Sequence, residues 1–188
     1  MSDVHYETIK PILTVSHVGG DPKAPVFDCE RCGKTVRSGF INLEVEIAET
    51  LAGGELTPVL GVMFLPEIIV SGELKVLLEQ SGAEPEHFVQ VSGLPETYGL
   101  YYQVLAPQPL RVAKSSILEG TVCDSCGGEA QVDLKNLKLV KPERHWPIWT
   151  CLLENRWTWV VRSDVAAQIH EKFGRCFRQE RVSFADPG

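Results

Sequence analysis

Residues 159–174 read WVVRSDVAAQIHEKFG and combine the two kinds of secondary structure that the chain uses. The apolar run WVV is typical of a strand. The serine and aspartate after it are typical of a helix N-terminus, where they bind or stabilise free backbone N–H groups. Val165, Ile169 and Phe173 recur at helical spacing and predict one apolar helix face, and Gly174 is suited to ending the helix. The segment therefore predicts a strand that leads directly into a short helix.

The same succession occurs about 91 residues earlier, as IIVSGELKVLLEQSG at residues 68–82. Here three leucines form the apolar helix face, and a glycine again follows the helix. Each copy is followed by an extended stretch, at 88–91 and at 177–184. We therefore predict an internal pseudo-duplication within a single domain, with diverged halves at about 1–95 and 96–188. Chance similarity is the alternative, because strand–helix–strand units are common.

The remaining segments are predicted to be mostly β. Between Ile41 and Ile47, apolar residues alternate with an asparagine and two glutamates, which is typical of a strand with one buried face. Further strands are expected within 59–65, 98–105 and 132–140. The predicted fold class is α+β, with mainly antiparallel strands, about seven to nine in number, and two principal helices.

Four of the six cysteines form two CxxCG motifs, at 29–33 and 123–127. In a chain without a visible secretory signal, paired CxxC motifs favour metal binding over a disulfide. Two residues between the thiolates let one tight turn direct both sulfurs at an ion, and two such knuckles complete a tetrahedral shell. We therefore predict one structural zinc site with no open coordination position. Its predicted ligands are Cys29, Cys32, Cys123 and Cys126.

Two alternatives remain open for these motifs. They are a thioredoxin-like redox pair and cysteines that hold no metal, either as bare thiols or as a disulfide. A redox motif opens a helix, whereas Gly-Gly follows the second motif and starts a helix poorly. The 90 residues between Cys32 and Cys123 exceed the spacing of roughly 15–20 in common zinc ribbons. A shared site therefore requires the fold to bring two distant turns together, as a pseudo-twofold repeat would do.

The charge balance bears on the partner. The chain has 18 basic and 25 acidic residues, a net charge of −7, and 44% hydrophobic residues, the composition of a globular protein. An acidic surface repels nucleic-acid phosphates and suits a basic protein instead. No run approaches the roughly 18 apolar residues of a membrane span. We therefore expect a cytoplasmic protein that binds neither nucleic acid nor membranes.

The chain contains no motif of a known catalytic site. GxSxG, HExxH, phosphate-loop and GxGxxG patterns are missing, and the five histidines are scattered. Cys151 lies in an apolar run and is predicted to be a buried apolar residue, and nothing marks Cys176 as a nucleophile. We therefore predict a protein without enzymatic activity. The alternative is a hydrolase whose site assembles from distant residues.

With one CxxCG motif near residue 30 and another past its middle, the chain resembles the double-CxxCG proteins of bacteria. These look like immunity proteins of the SitI type, from polymorphic or contact-exchanged toxin systems. The C-terminal part, from Trp159 through the helix to Phe184, is also similar to the usual ending of that family. The resemblance implies a protein of bacterial competition that binds a cognate protein toxin and neutralises it. It assigns no toxin-contacting residue.

The alternative function is a zinc-ribbon-like module that binds nucleic acid or a transcription or translation complex. Such ribbons normally carry lysine and arginine around the knuckles. Here the charges around the cysteines are mixed in sign, and the acidic residues include Asp28, Glu30, Asp124 and Glu129. The charge pattern therefore favours the toxin inhibitor.

The densest acidic stretch contains four glutamates: Glu44, Glu46, Glu49 and Glu55. On an alternating strand the first two lie on the same face. Complementary charge raises the rate at which a basic partner associates. These glutamates are therefore the predicted partner-binding residues. The alternative is a solvated strand face that only keeps the protein in solution.

If the four motif cysteines form one site, purified protein should hold about one zinc per chain. Replacing any one of them, as in Cys29→Ser, should lower the melting temperature, because a structural zinc contributes several kcal/mol to folding. Elemental mass spectrometry measures the metal, and circular dichroism measures melting. The control is Ser125→Ala, which changes a residue between two cysteines and should keep the zinc. Metal-free protein with unchanged melting in all four serine variants would contradict the site.

Overall fold

The structure of the chain is a computed structural model. It describes residues 5–22, 27–28, 35–36, 40–47, 56–63, 67–105, 109–110, 113–119, 131–132, 137–141, 146–153 and 156–185. Within them lie sixteen strands and two α-helices, and most strand pairs are antiparallel. The predicted α+β class is confirmed. The predicted number of strands is too low because many strands have only two to four residues, too few to produce a periodic sequence pattern.

The first sheet contains six strands and closes on itself. Its order is β5 (Phe40–Glu46), β2 (Leu13–Pro22), β6 (Val59–Val62), β7 (Ile68–Ser71), β9 (Tyr101–Val104) and β8 (Phe88–Gln90). Neighbouring strands are antiparallel except β2 and β6, which are parallel. Just after β8, Ser92 accepts a hydrogen bond from Val45 N at 3.0 Å and donates one to Leu43 O at 2.9 Å. Because these bonds join the two ends of the strand order, the sheet forms a small barrel.

The second sheet also has six strands. Its order is β10 (Pro109–Leu110), β14 (Ile148–Leu153), β15 (Arg156–Arg162), β1 (Tyr6–Pro11), β16 (Phe177–Ala185) and β13 (Lys138–Val140). Its outermost pairs, β10–β14 and β13–β16, are parallel, and the others are antiparallel. A backbone hydrogen bond of 2.9 Å from Ala113 N to Lys138 O joins its two ends.

Each sheet receives one strand from the other half of the chain. β1 lies between β15 and β16, and β9 lies between β7 and β8. Two short antiparallel pairs stand outside the sheets. They are β3 (Phe27–Asp28) with β4 (Thr35–Val36), and β11 (Ile117–Glu119) with β12 (Gln131–Val132).

Both predicted helices are confirmed. α1 (Gly72–Gln80) follows β7, and α2 (Ser163–Phe173) follows β15. Ser71 caps α1, since its Oγ accepts a hydrogen bond from Leu74 N at 3.3 Å. In α2 the cap residue is Arg162, and Ser163 is the first helical residue. Among the described residues, neither helix has the length and apolar character needed to cross a bilayer.

The largest described apolar cluster lies where the two helices meet both sheets. It includes Val70 of β7, Val161 of β15, Leu74 of α1 and Val165 of α2, all buried. Trp159 belongs to the same cluster. Burial of each such side chain contributes about 1.5–3 kcal/mol to folding, so this cluster holds the two halves together.

A second apolar cluster fills the first barrel. It takes alternate residues of the surrounding strands, including Leu43 and Val45 of β5, Ile69 of β7 and Tyr101 of β9. Because side chains alternate across a strand, Ile69 lies inside the barrel, whereas its neighbour Val70 lies in the cluster between the sheets. Along β5, Leu43 and Val45 are buried and the residues between and beside them are exposed, so the predicted alternation is confirmed.

Gly93 occupies the place where the first barrel closes. Its φ is +89°, and a Cβ atom on it would lie 2.2 Å from Val45 O. Any side chain would therefore collide with the backbone of β5. Gly82, after α1, has a similar φ of +109° but nothing within 4 Å of the same position.

These two glycines separate backbone strain from collision. Gly82→Ala should lower the free energy of unfolding by about 1–2 kcal/mol, the usual cost of a left-handed residue with a Cβ. Gly93→Ala should cost clearly more, because β5 must also move away from Ser92. Chemical denaturation with circular dichroism measures both values. Equal losses in the two variants would show that β5 does not close tightly against residue 93.

Candidate partner-binding face

The outward side of β5 carries two of the four predicted acidic residues, Glu44 and Glu46. Leu43 and Val45 are fully buried at 0% exposure, so Asn42, Glu44 and Glu46 between and beside them are exposed. Strand β2 on one side and Ser92 on the other hold the strand in place. The two carboxylates therefore project from a backbone that is hydrogen-bonded along both edges.

Glu44 lies across the neighbouring strand β2. Gly19 is its register partner, and a Cβ atom on Gly19 would lie 2.9 Å from the Glu44 Oε2 atom. The missing side chain at Gly19 therefore leaves room for the carboxylate over β2. The carboxylate of Glu44 therefore lies over Gly19 of β2.

Val18 is exposed beside this carboxylate. The pairing of β2 with β5 runs from His17–Val45 to Gly19–Glu44, so β2 contains one extra residue at this point. Such a bulge changes the direction of a side chain. Val18 is 52% exposed as a result. An exposed apolar side chain therefore lies on the strand pair that also carries Glu44 and Glu46.

A third carboxylate belongs to the same side of the strand pair. Asn42 Nδ2 donates a 2.8 Å hydrogen bond to Asp21 Oδ2, and both residues are exposed. Asn42 has a φ of +52°, a conformation that asparagine tolerates better than most residues. We call Val18, Asp21, Glu44 and Glu46 the acidic face. Within the described part of the chain, none of its carboxylates forms a salt bridge.

Sequence reasoning located part of this face. Glu44 and Glu46 lie together and exposed, as predicted, whereas Glu49 and Glu55 lie outside the described residues. Val18 and Asp21 were missed because they belong to β2 and join the face only through strand pairing. No local pattern marks them, since a bulge is not visible in a single sequence.

The four motif cysteines also lie outside the described residues. The strands that border them are described. Asp28 pairs with Thr35 on either side of the first motif, and Glu119 pairs with Gln131 on either side of the second. Antiparallel pairing brings the two ends of each CxxC segment together, an arrangement that suits a knuckle.

Cys176 is described and lies in the core. It is 1% exposed, and burial raises its pKa to about 11, although a backbone hydrogen bond acts in the opposite direction. A cysteine nucleophile needs an accessible thiolate. Cys176 is therefore a structural residue of the cluster between the sheets.

Burial should protect this thiol from alkylation. In folded protein at pH 8, iodoacetamide should modify Cys176 far more slowly than in protein unfolded with guanidinium, because the thiol is both protonated and covered. Mass spectrometry of peptides measures the extent of modification. Similar rates in the two states would show that the core opens around Cys176.

The sequence matches no protein-family model, and no curated protein is significantly similar to it. The resemblance to double-CxxCG proteins therefore stays a prediction. The acidic face and the two cysteine motifs are the features of the chain that bear on its function.

Proposed function

We propose that the protein is a cytoplasmic immunity protein that binds a basic protein toxin and neutralises it. The observation that carries the proposal is the exposure of Glu44 and Glu46 beside Val18 on one fixed strand pair. Protein interfaces commonly combine an apolar centre with a polar rim. Val18 supplies the apolar part of such a patch, and the carboxylates supply the rim. The resemblance to SitI-type proteins supplies the class of partner.

The charge of the chain suits this partner. A net charge of −7 attracts a basic protein over a distance, and the acidic face concentrates part of that charge. Salt screens exposed charges beyond about 10 Å at 0.1 M ionic strength. The carboxylates should therefore act mainly on the rate of association, whereas close contacts such as those of Val18 act on the rate of dissociation.

The position of the face on a sheet also favours binding. Glu44 and Glu46 project from a strand that is hydrogen-bonded along both edges. A fixed backbone loses little conformational entropy when a partner binds. The same carboxylates on a loose loop would bind at a higher entropic cost.

We extend the proposal to a structural Zn²⁺ ion. The predicted ligands are the four motif cysteines, and the paired strands that border each motif support this assignment. Four thiolates leave no open position, so the ion would stabilise the fold and take no part in a reaction.

Charge reversal tests the acidic face. The double variant Glu44→Lys/Glu46→Lys should lower the association rate with the toxin at least tenfold at low salt and flatten its salt dependence. Where a gene for a large toxin lies next to the gene for this chain, its purified product is the probe, and surface plasmon resonance measures the rates. Co-expression of toxin and chain measures neutralisation through cell growth.

A matched control separates this face from total charge. Glu86 and Glu171 are exposed and form no salt bridge among the described residues, so Glu86→Lys/Glu171→Lys makes the same change in net charge elsewhere. The control should keep most of the wild-type association rate. Equal losses of association rate in both double variants would show that net charge, and not the acidic face, determines the rate. Wild-type association rates in the variant Glu44→Lys/Glu46→Lys would show that β5 is not part of the interface. Binding to nucleic acid without binding to the toxin would favour the zinc-ribbon alternative.

A further inference from the structure

We infer that the chain consists of two copies of one structural unit, the first unit at 5–92 and the second unit at 101–185. The inference is independent of the proposed function. The side of each unit that carries its α-helix is then an interaction surface, and its partner is the other unit of the same chain. The two copies also exchange their first strands.

The order of elements is the same in both units. The first unit contains β1 and β2, the pair β3–β4 around a CxxCG motif, then β5, β6, β7, α1 and β8. The second unit contains β9 and β10, the pair β11–β12 around the other motif, then β13, β14, β15, α2 and β16. Every described strand and α-helix of one unit therefore has a counterpart in the other.

The pairing directions are also the same. β2–β6 and β10–β14 are parallel, and β6–β7 and β14–β15 are antiparallel. β9 pairs antiparallel with β7 and β8, as β1 does with β15 and β16. The strands that follow the two short pairs, β5 and β13, agree as well. Glu44 of β5 forms a parallel β-bridge with Ser92. Lys138 of β13 is the register partner of Ser183 in the parallel pair β13–β16.

The correspondence extends to individual residues. Tyr101 is the register partner of Ser71, the residue before α1, and Tyr6 is the register partner of Arg162, the residue before α2. Both tyrosines are buried, and each donates its hydroxyl to a backbone carbonyl of the other unit. The bonds are Tyr101 OH to Thr57 O at 3.0 Å and Tyr6 OH to Trp146 O at 3.1 Å.

The entry to each helix repeats the same two backbone hydrogen bonds. The first residue of each helix donates to the residue before the exchanged strand, and the residue before the helix donates to a proline. The bonds are Gly72 N to Leu100 O and Ser163 N to His5 O at 2.9 Å each, and Ser71 N to Pro58 O at 2.9 Å and Arg162 N to Pro147 O at 2.8 Å.

Matched positions also carry identical residues that the topology does not require. The pairs are Tyr6/Tyr101, Leu43/Leu137, Pro58/Pro147, Val70/Val161, Val91/Val182 and Ser92/Ser183. Their offsets are 95, 94, 89, 91, 91 and 91 residues, respectively. Because the offset changes along the chain, a comparison at one fixed offset finds only part of the repeat.

The exchanged strands explain why the units stay together. Without β9, the first sheet would lose the strand between β7 and β8, and the second sheet would likewise lose β1. Both sheets would then expose unpaired edges, which proteins avoid. The buried cluster that includes Val70 and Val161 covers the contact between the units.

The two connections between units would be equivalent if the chain were circular. Nine residues, 92–100, lead from Val91 after β8 to Tyr101 of β9. Joining residue 188 to residue 1 would lead from Val182 of β16 to Tyr6 of β1 through eleven residues, 183–188 and 1–5. In both places the connected strands are antiparallel neighbours.

A circular permutant tests this equivalence. Gly188 is joined to Met1, and the chain is opened between Pro95 and Glu96, so that the second unit precedes the first. The permutant should be monomeric, with the wild-type circular dichroism spectrum and a melting temperature within about 5 °C of the wild type. The control permutant has the same join but opens between Gly82 and Ala83, inside the first unit, and should melt clearly lower. An unfolded first permutant beside a folded control, or equal melting of both, would overturn the inference.

Substitutions in the unpermuted chain give a second test. Tyr6→Phe and Tyr101→Phe each remove one of the matched hydroxyl bonds, so each should lower the melting temperature by about 2–4 °C. Tyr102→Phe is the control, because no hydrogen bond of the Tyr102 hydroxyl occurs among the described residues, and it should shift melting less. A loss in only one of the two matched variants would show that the tyrosines do not have equivalent roles.

Discussion

β1 and β9 lie in the interior of the two six-stranded sheets and join the two halves of the chain. Each strand forms backbone hydrogen bonds on both sides with strands from the other half of the chain. Neither sheet is continuous until both halves have folded. The buried hydroxyls of Tyr6 and Tyr101 reinforce this arrangement, since an unpaired buried hydroxyl is costly.

The acidic face is a consequence of the same architecture. The first barrel closes because Ser92, just after β8, bonds to β5, and this closure fixes the outward direction of Glu44 and Glu46. On the matching strand β13, Lys138 takes the position of Glu44. At this position the two units therefore carry opposite charges. Such a difference is what a binding function acquired by one unit would produce.

The cysteine motifs and the exchanged strands would stabilise the chain in different ways. The strands act through backbone hydrogen bonds and buried apolar area, which the described residues contain. The proposed zinc ion would add bonds at the two short strand pairs, which lie outside the six-stranded sheets. Small peripheral elements with little apolar burial are where a metal contributes most to folding.

Short-range sequence patterns were enough to predict the local elements of this protein. The leucine face and serine cap of α1, the apolar stripe of α2 and the alternation along β5 are periodic signals within about ten residues, and each is present in the structure. Three other features became visible only in the folded chain: the exchange of β1 and β9, the exposure of Val18 at a bulge and the need for a glycine at position 93. These features depend on the register between distant strands. Hydrophobic alternation specifies which face of a strand is buried, and it does not specify which strand lies beside it.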